Sequence, residues 1–157
     1  MNNIEKNLQK YDIKLPEMTK PIANYSPFII SNNFIFISGQ VPMQSGVITF
    51  KGKVGKDLDI KTAKKASRLC MLNSFAVLNF AVKGNLTSIK KCLKITVFVN
   101  SNNTFIDQPI VADGASDLIS NIMSPHSEHS RSAVSVNSLP KNSAVEIDSI
   151  FEIEVEK

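Results

Sequence analysis

The 157-residue sequence predicts an α+β fold, a mixed β-sheet with two helices packed on one face. Two observations carry that expectation. Short segments rich in Ile, Val and Phe, bounded by turn residues, read as strands around 28–38, 47–50, 93–99, 133–136 and 144–155. Two further segments, starting near Asp59 and Asp107, change to apolar spacing of three and four. The resulting order, β-β-β-α-β-α-β-β, describes a two-layer sandwich. No internal repeat, linker or low-complexity tract divides the chain, so residues 1–157 read as a single domain.

Taken in order, residues 4–11 suit a short helix. An extended lead follows through Leu15-Pro16 and Lys20-Pro21 to Asn24-Tyr25-Ser26-Pro27. Phe28-Ile29-Ile30, a turn at Ser31-Asn32-Asn33 and Phe34-Ile35-Phe36-Ile37-Ser38 form a hairpin of β-branched and aromatic residues. A turn at Gln44-Ser45-Gly46 leads into a strand at Val47–Phe50. Asp59 is a natural helix N-cap, and Ala63, Ala66, Cys70, Ala76, Val77, Phe80 and Ala81 recur on one face, with Gly84 as the stop. Leu93–Val99 alternates as a strand. The second helix opens at Asp107-Gln108-Pro109, where proline fits the first turn, and its core stripe is Val111, Ala115, Leu118 and Ile122. In the last strand Val145, Ile147, Phe151, Ile153 and Val155 share one face. Glu146, Asp148, Glu152, Glu154 and Glu156 share the other, interrupted by Ile150, which turns toward solvent or another subunit.

Composition excludes several classes of protein. No segment approaches the roughly 20 apolar residues of a membrane span, and the polar, mixed-charge start is unlike a signal or transit peptide. The expected compartment is therefore cytoplasmic. The net charge is +4, but the lysines are scattered singly and in pairs without interleaved aromatics, so a nucleic-acid partner is not expected. Cys70 and Cys92 sit among apolar residues and read as buried thiols. Of the 18 Lys and Arg residues, only Arg68 and Arg131 are arginines.

Three stretches, in order, resemble the RidA/YjgF family, also called endoribonuclease L-PSP. They are Asn24-Tyr25-Ser26-Pro27 with Phe36-Ile37-Ser38-Gly39-Gln40-Val41-Pro42; Gly84-Asn85-Leu86 through Lys94–Val99; and Arg131-Ser132-Ala133-Val134-Ser135-Val136 through Leu139-Pro140 and Val145-Glu146-Ile147. The likeness covers roughly residues 20–155, and the segment from Gln108 to Leu118 is similar to a longer branch of the family. It implies a chorismate-mutase-like sandwich and a homotrimer with a central β-barrel and three clefts between subunits. It also implies hydrolysis of enamines and imines such as 2-aminoacrylate to 2-keto acids and ammonia, with no metal or organic cofactor.

The same resemblance assigns the site. Arg131 matches the arginine that binds the substrate carboxylate, and a planar guanidinium can donate the two parallel hydrogen bonds that an ammonium cannot. Glu146 matches the acid that activates water. Ser38, Gly39, Phe28 and Ala133 match cleft-lining positions. Three residues depart from the deaminating pattern: Phe28 stands where Tyr is frequent, Pro109 near an Asn, and Ala133 where Cys is frequent. The anchor is kept while the rest of the pocket is altered. His126 and His129 have a spacing open to metal, but only Glu128 stands nearby as a third ligand, so no metal is expected. The functional readings are an enamine/imine deaminase, a non-catalytic protein that senses small carboxylates, and, on the older family name, RNA cleavage.

Overall fold

Sheet formation follows the predicted alternation. In the computed structural model, which describes residues 3–18 and 24–154, strands β1 (Phe28–Ser31), β2 (Phe34–Gln40), β5 (Ile89–Asn100), β6 (Ser130–Val136) and β7 (Val145–Ile153) form one mixed sheet. Its order is β1-β2-β7-β5-β6. β7 runs antiparallel to both neighbours, so β2 and β5 are mutually parallel and helix α2 (Ile60–Ala81) lies on the connection between them. β5 and β6 pair directly in parallel, and helix α3 (Gln108–Met123) supplies that crossover. The fold is the α+β, chorismate-mutase-like sandwich that the sequence predicts.

The segment expected as a third sheet strand does something else. β3 (Met43–Gln44) and β4 (Val47–Ile48) make a separate two-stranded ribbon. Ser45 and Gly46 both take positive φ, 50° and 80°, the twist that suits a two-residue hairpin turn. The alternation was therefore satisfied locally, within the ribbon. Elsewhere the strands differ from expectation mainly in length. β6 starts at Ser130, so Arg131 is a strand residue, and β7 ends at Ile153. Val155 and Glu156, like Lys20-Pro21, lie outside the described residues.

Helix ends follow their capping chemistry. The Asp59 carboxylate accepts from the Thr62 amide at 2.7 Å, and beyond the end of α2 the chain reverses through Lys83 and Gly84, both at positive φ. Helix α1 (Asn3–Lys10) is a third helix, packed on α3. Its Asn7 amide donates to the carbonyls of Ile122 and Ser124, both at 3.0 Å, where α3 leaves carbonyls without helical partners. Gly114 lets α3 cross α2 closely: a Cβ there would lie 2.1 Å from the Lys64 carbonyl oxygen.

The core fills the space between helices and sheet. Val111, Ala115, Leu118 and Ile122 of α3 are buried, as expected, against Ala63, Ala66, Cys70 and Val77 of α2 and against Ile35, Val97, Ile147 and Phe151 of the sheet. Phe80 is the correction. It is 56% exposed, because it lies in the last turn of α2 and packs edge-on against Phe28 at 6.3 Å rather than into the core. Both cysteines are buried. Burial pushes the Cys70 thiol well above its ordinary range and the Cys92 thiol up to about 12, so neither is poised as a nucleophile.

The other face of the sheet carries no helix. Ile29, Phe34, Phe36 and Val134 are exposed there, alongside the half-buried Phe98 and Ile150. The acidic residues Glu146, Asp148 and Glu152 of β7 share that face.

Candidate functional site

The predicted residues fall into two clusters. The first lies where β2 meets β7. Their register steps from Ile37 opposite Ser149 to Gln40 opposite Ile147, so Ser38 and Gly39 together face Asp148 alone in a β-bulge. Ser38 is held on both sides: its amide donates to the Pro27 carbonyl at 3.0 Å and its hydroxyl to the Ser26 carbonyl at 2.7 Å. Gly39 has no positive φ, so its need for glycine is one of space. A Cβ at Gly39 would lie 2.0 Å from Glu146 Oε1; the Glu146 carboxylate occupies the room a side chain would fill. Phe28 does not join this cluster: it pairs with the buried Ile37 and presents its ring to Phe80 of α2, on the helix side of the sheet.

Glu146 is a half-buried carboxyl with an altered proton affinity. Burial raises its pKa from the ordinary 4.5, and the neighbouring charge of Asp148 raises it further. Such a shift brings a carboxylate closer to the proton affinity that suits a general base near neutral pH.

The second cluster is on the edge strand β6. Arg131 pairs with Ile95 and Ala133 with Val97, both buried beneath the helices, so these two side chains project on the helix side. Glu146 pairs with Phe98, on the bare side. Within one chain, then, Arg131 and Glu146 stand on opposite faces of the sheet with β5 between them. Pro109 lies in the first turn of α3, one turn ahead of Asp113.

What holds Arg131 was not legible in the sequence. Its Nη1 donates to Asp113 Oδ1 at 2.8 Å and to Ser116 Oγ at 3.1 Å, both on α3. Among the described residues, Nε and Nη2 have no hydrogen-bond partner, so one full edge of the guanidinium is unspent. His129 does not turn toward His126; its Nε2 is 2.9 Å from Ser116 Oγ. Among the described residues no three of His, Cys, Asp and Glu converge as metal ligands. A cavity lined by Met18, Met43, Leu69, Leu72 and Asn73 includes none of the predicted site residues.

These features define a class: an α+β sandwich whose sheet has one bare face and whose polar site groups are divided between an interior β-bulge and the edge strand β6. The family model described as "YjgF/chorismate_mutase-like, putative endoribonuclease" matches residues 5–153, and the chain belongs to this RidA/YjgF family. It is 36% identical to protein TCP17 of Trypanosoma cruzi over 148 residues, 94% of this chain and 92% of that protein. It is 31% identical to the RutC family protein PH0854 of Pyrococcus horikoshii over 134 residues, 83% of this chain and 88% of that protein. The crystal structure of Atu1372 from Agrobacterium tumefaciens, a protein of unknown function, superposes with a TM-score of 0.89 at 41% identity, covering 97% of this chain and 93% of that one. No helix among the described residues is long and apolar enough to cross a membrane.

Proposed function

We propose that this protein hydrolyses enamines and imines of small carboxylic acids, 2-aminoacrylate being the model substrate, in a site completed by a second copy of the chain. Arg131 binds the substrate carboxylate through its free Nε–Nη2 edge. Glu146 takes a proton from water as the water oxygen bonds to the imine carbon. Glu146 returns that proton to nitrogen, giving a carbinolamine, and then relays the carbinolamine hydroxyl proton to the same nitrogen. The C–N bond breaks as C=O forms, and ammonia leaves behind a 2-keto acid; 2-aminoacrylate enters as its imine tautomer, one nitrogen proton having moved to its CH2 carbon. Atoms balance with one water consumed, and no electrons are transferred.

The observation that carries this reading is the Glu146 carboxyl, half-buried, raised in pKa and seated in space left by Gly39. A merely solvated acidic face would not need a glycine to accommodate one of its members. The opposite placement of Arg131 and Glu146 favours a site between protomers, where the β6 edge of one copy meets the β2–β7 corner of another. The exposed Ile29, Phe34, Phe36 and Val134 supply an apolar face for such a trimer to bury.

A second reading is supported by Phe28 and Ala133, which contribute no polar side-chain group to the site: the cleft binds a small carboxylate without turnover. Release of keto acid and ammonia from enzymatically generated 2-aminoacrylate separates the two. Turnover by the wild type that falls about 10²-fold or more in E146Q and is lost in R131A is the expected result. Binding of 2-oxobutyrate with no turnover would instead establish the sensor.

A further inference from the structure

Asp113 and Ser116 stand three residues apart on α3, so both reach the same edge of the sheet. Each accepts a hydrogen bond from Arg131 Nη1, at 2.8 and 3.1 Å. A guanidinium Nη carries two hydrogens, and here both are committed.

The direction of the remaining bonds can be worked out from donor chemistry. His129 Nδ1 lies 2.9 Å from the Ser127 carbonyl oxygen. A carbonyl can only accept, so Nδ1 carries the hydrogen, and in the neutral ring Nε2 is an acceptor. The Ser116 hydroxyl, 2.9 Å from Nε2, therefore donates to His129. That turns an oxygen lone pair toward Arg131. The Ser127 carbonyl sets the tautomer, the tautomer sets the hydroxyl, and the hydroxyl together with Asp113 fixes the guanidinium.

We propose that Asp113, Ser116 and His129 are positioning residues for Arg131, holding Nη1 so that the Nε–Nη2 edge meets the ligand carboxylate. This rests on the reading of Arg131 as the carboxylate anchor. The ion pair is partly exposed, at 26% for the Arg131 side chain and 43% for Asp113, so Coulomb attraction alone is a weak restraint. Three hydrogen bonds in sequence fix direction as well as distance. A bidentate bond to carboxylate depends on that direction, because a rotated fork offers one hydrogen in place of two.

The experiment is calorimetric titration of the intact protein with 2-oxobutyrate, across single and double variants. S116A is expected to weaken binding about 5–10-fold, the worth of one ordinary hydrogen bond, while S116T, which keeps the hydroxyl, stays within about twofold of wild type. H129A is expected to weaken binding about 3–5-fold. H129Q, whose amide oxygen can stand in for Nε2, recovers most of that loss. The decisive comparison is S116A made in an R131K background. If Ser116 acts through the guanidinium fork, S116A there changes affinity less than about twofold; a general structural role would carry over at full size. If R131A removes binding but S116A and H129A bind as wild type, the positioning proposal is overturned and the anchor stands. If R131A binds as wild type, or the wild type shows no saturable binding, the anchor fails and this proposal with it.

Discussion

Glu146 shows how a single residue can be legible in kind and illegible in detail. As one of several carboxylates on alternate positions of the last strand, it is indistinguishable by pattern from Asp148 or Glu152. What sets it apart is Gly39, more than a hundred residues away, whose missing side chain opens the space its carboxylate occupies. G39A is therefore expected to leave the melting temperature nearly unchanged, since the group it strikes is the end of a flexible side chain, while deaminase turnover falls about tenfold or more as the carboxylate is displaced. Calorimetry and the ammonia assay on one preparation check both halves. The raised pKa of Glu146 adds a second expectation. The folded chain holds this proton more tightly than the unfolded chain, so the group favours folding below the ordinary carboxyl pKa. That contribution is lost as pH rises through the folded value. E146Q removes the charged form, so it should melt higher than wild type at about pH 7 and lose that advantage at about pH 4. A wild type that melts above E146Q at neutral pH contradicts the burial of this carboxyl.

At the scale of elements, the apolar periodicities were readable because each is a local record of burial. The stripe Val111, Ala115, Leu118, Ile122 names the buried face of α3 correctly, and Asp59 and Gly84 mark the bounds of α2. What the sequence could not convey was how elements meet. Phe80 satisfies the helical spacing, yet the helix has reached the sheet corner by then and the ring lies beside Phe28. Asp113 and Ser116 carried no assignment in the sequence, because their partner Arg131 enters only through the parallel pairing of β6 with β5. The only trace in the sequence is their i, i+3 spacing. Gly114, between them, reads as a weak point in a helix, and alanine there gains about 1 kcal/mol in propensity. The structure reverses the sign, because the added Cβ would lie 2.1 Å from backbone rather than from a movable side chain. Driving the helices apart costs about 1–3 kcal/mol or more, so G114A is expected to lower the melting temperature by a few degrees. Since α3 also carries Asp113 and Ser116, affinity for 2-oxobutyrate should fall in the same variant. A G114A protein more stable than wild type would show that the α2–α3 crossing is looser than this geometry requires.

For the whole molecule the open question is where Arg131 and Glu146 meet. One chain separates them by a strand and by the two faces of the sheet. A second copy closes it if the β6 edge of one protomer lies against the β2–β7 corner of its neighbour. The exposed Ile29, Phe34, Phe36 and Val134 face then becomes the buried centre of a closed ring, rather than an aggregation hazard on a free monomer. Introducing a charge at its middle, as in F36E, should shift the protein to monomers in sedimentation and abolish turnover, although Phe36 pairs across the sheet with Ile29 and Ile150 and not with a proposed site residue. A stricter test uses two dead variants. Each R131A protomer retains Glu146, and each E146Q protomer retains Arg131. In trimers formed from equal amounts of both, a site is intact only when its arginine comes from one type and its carboxylate from the other, which holds for about a quarter of the interfaces. Co-expressed R131A and E146Q chains should thus recover about a quarter of wild-type turnover per site. If the site were built within one chain, the mixture would stay as inactive as its parents, so recovery near zero in verified mixed trimers would overturn a site shared between protomers.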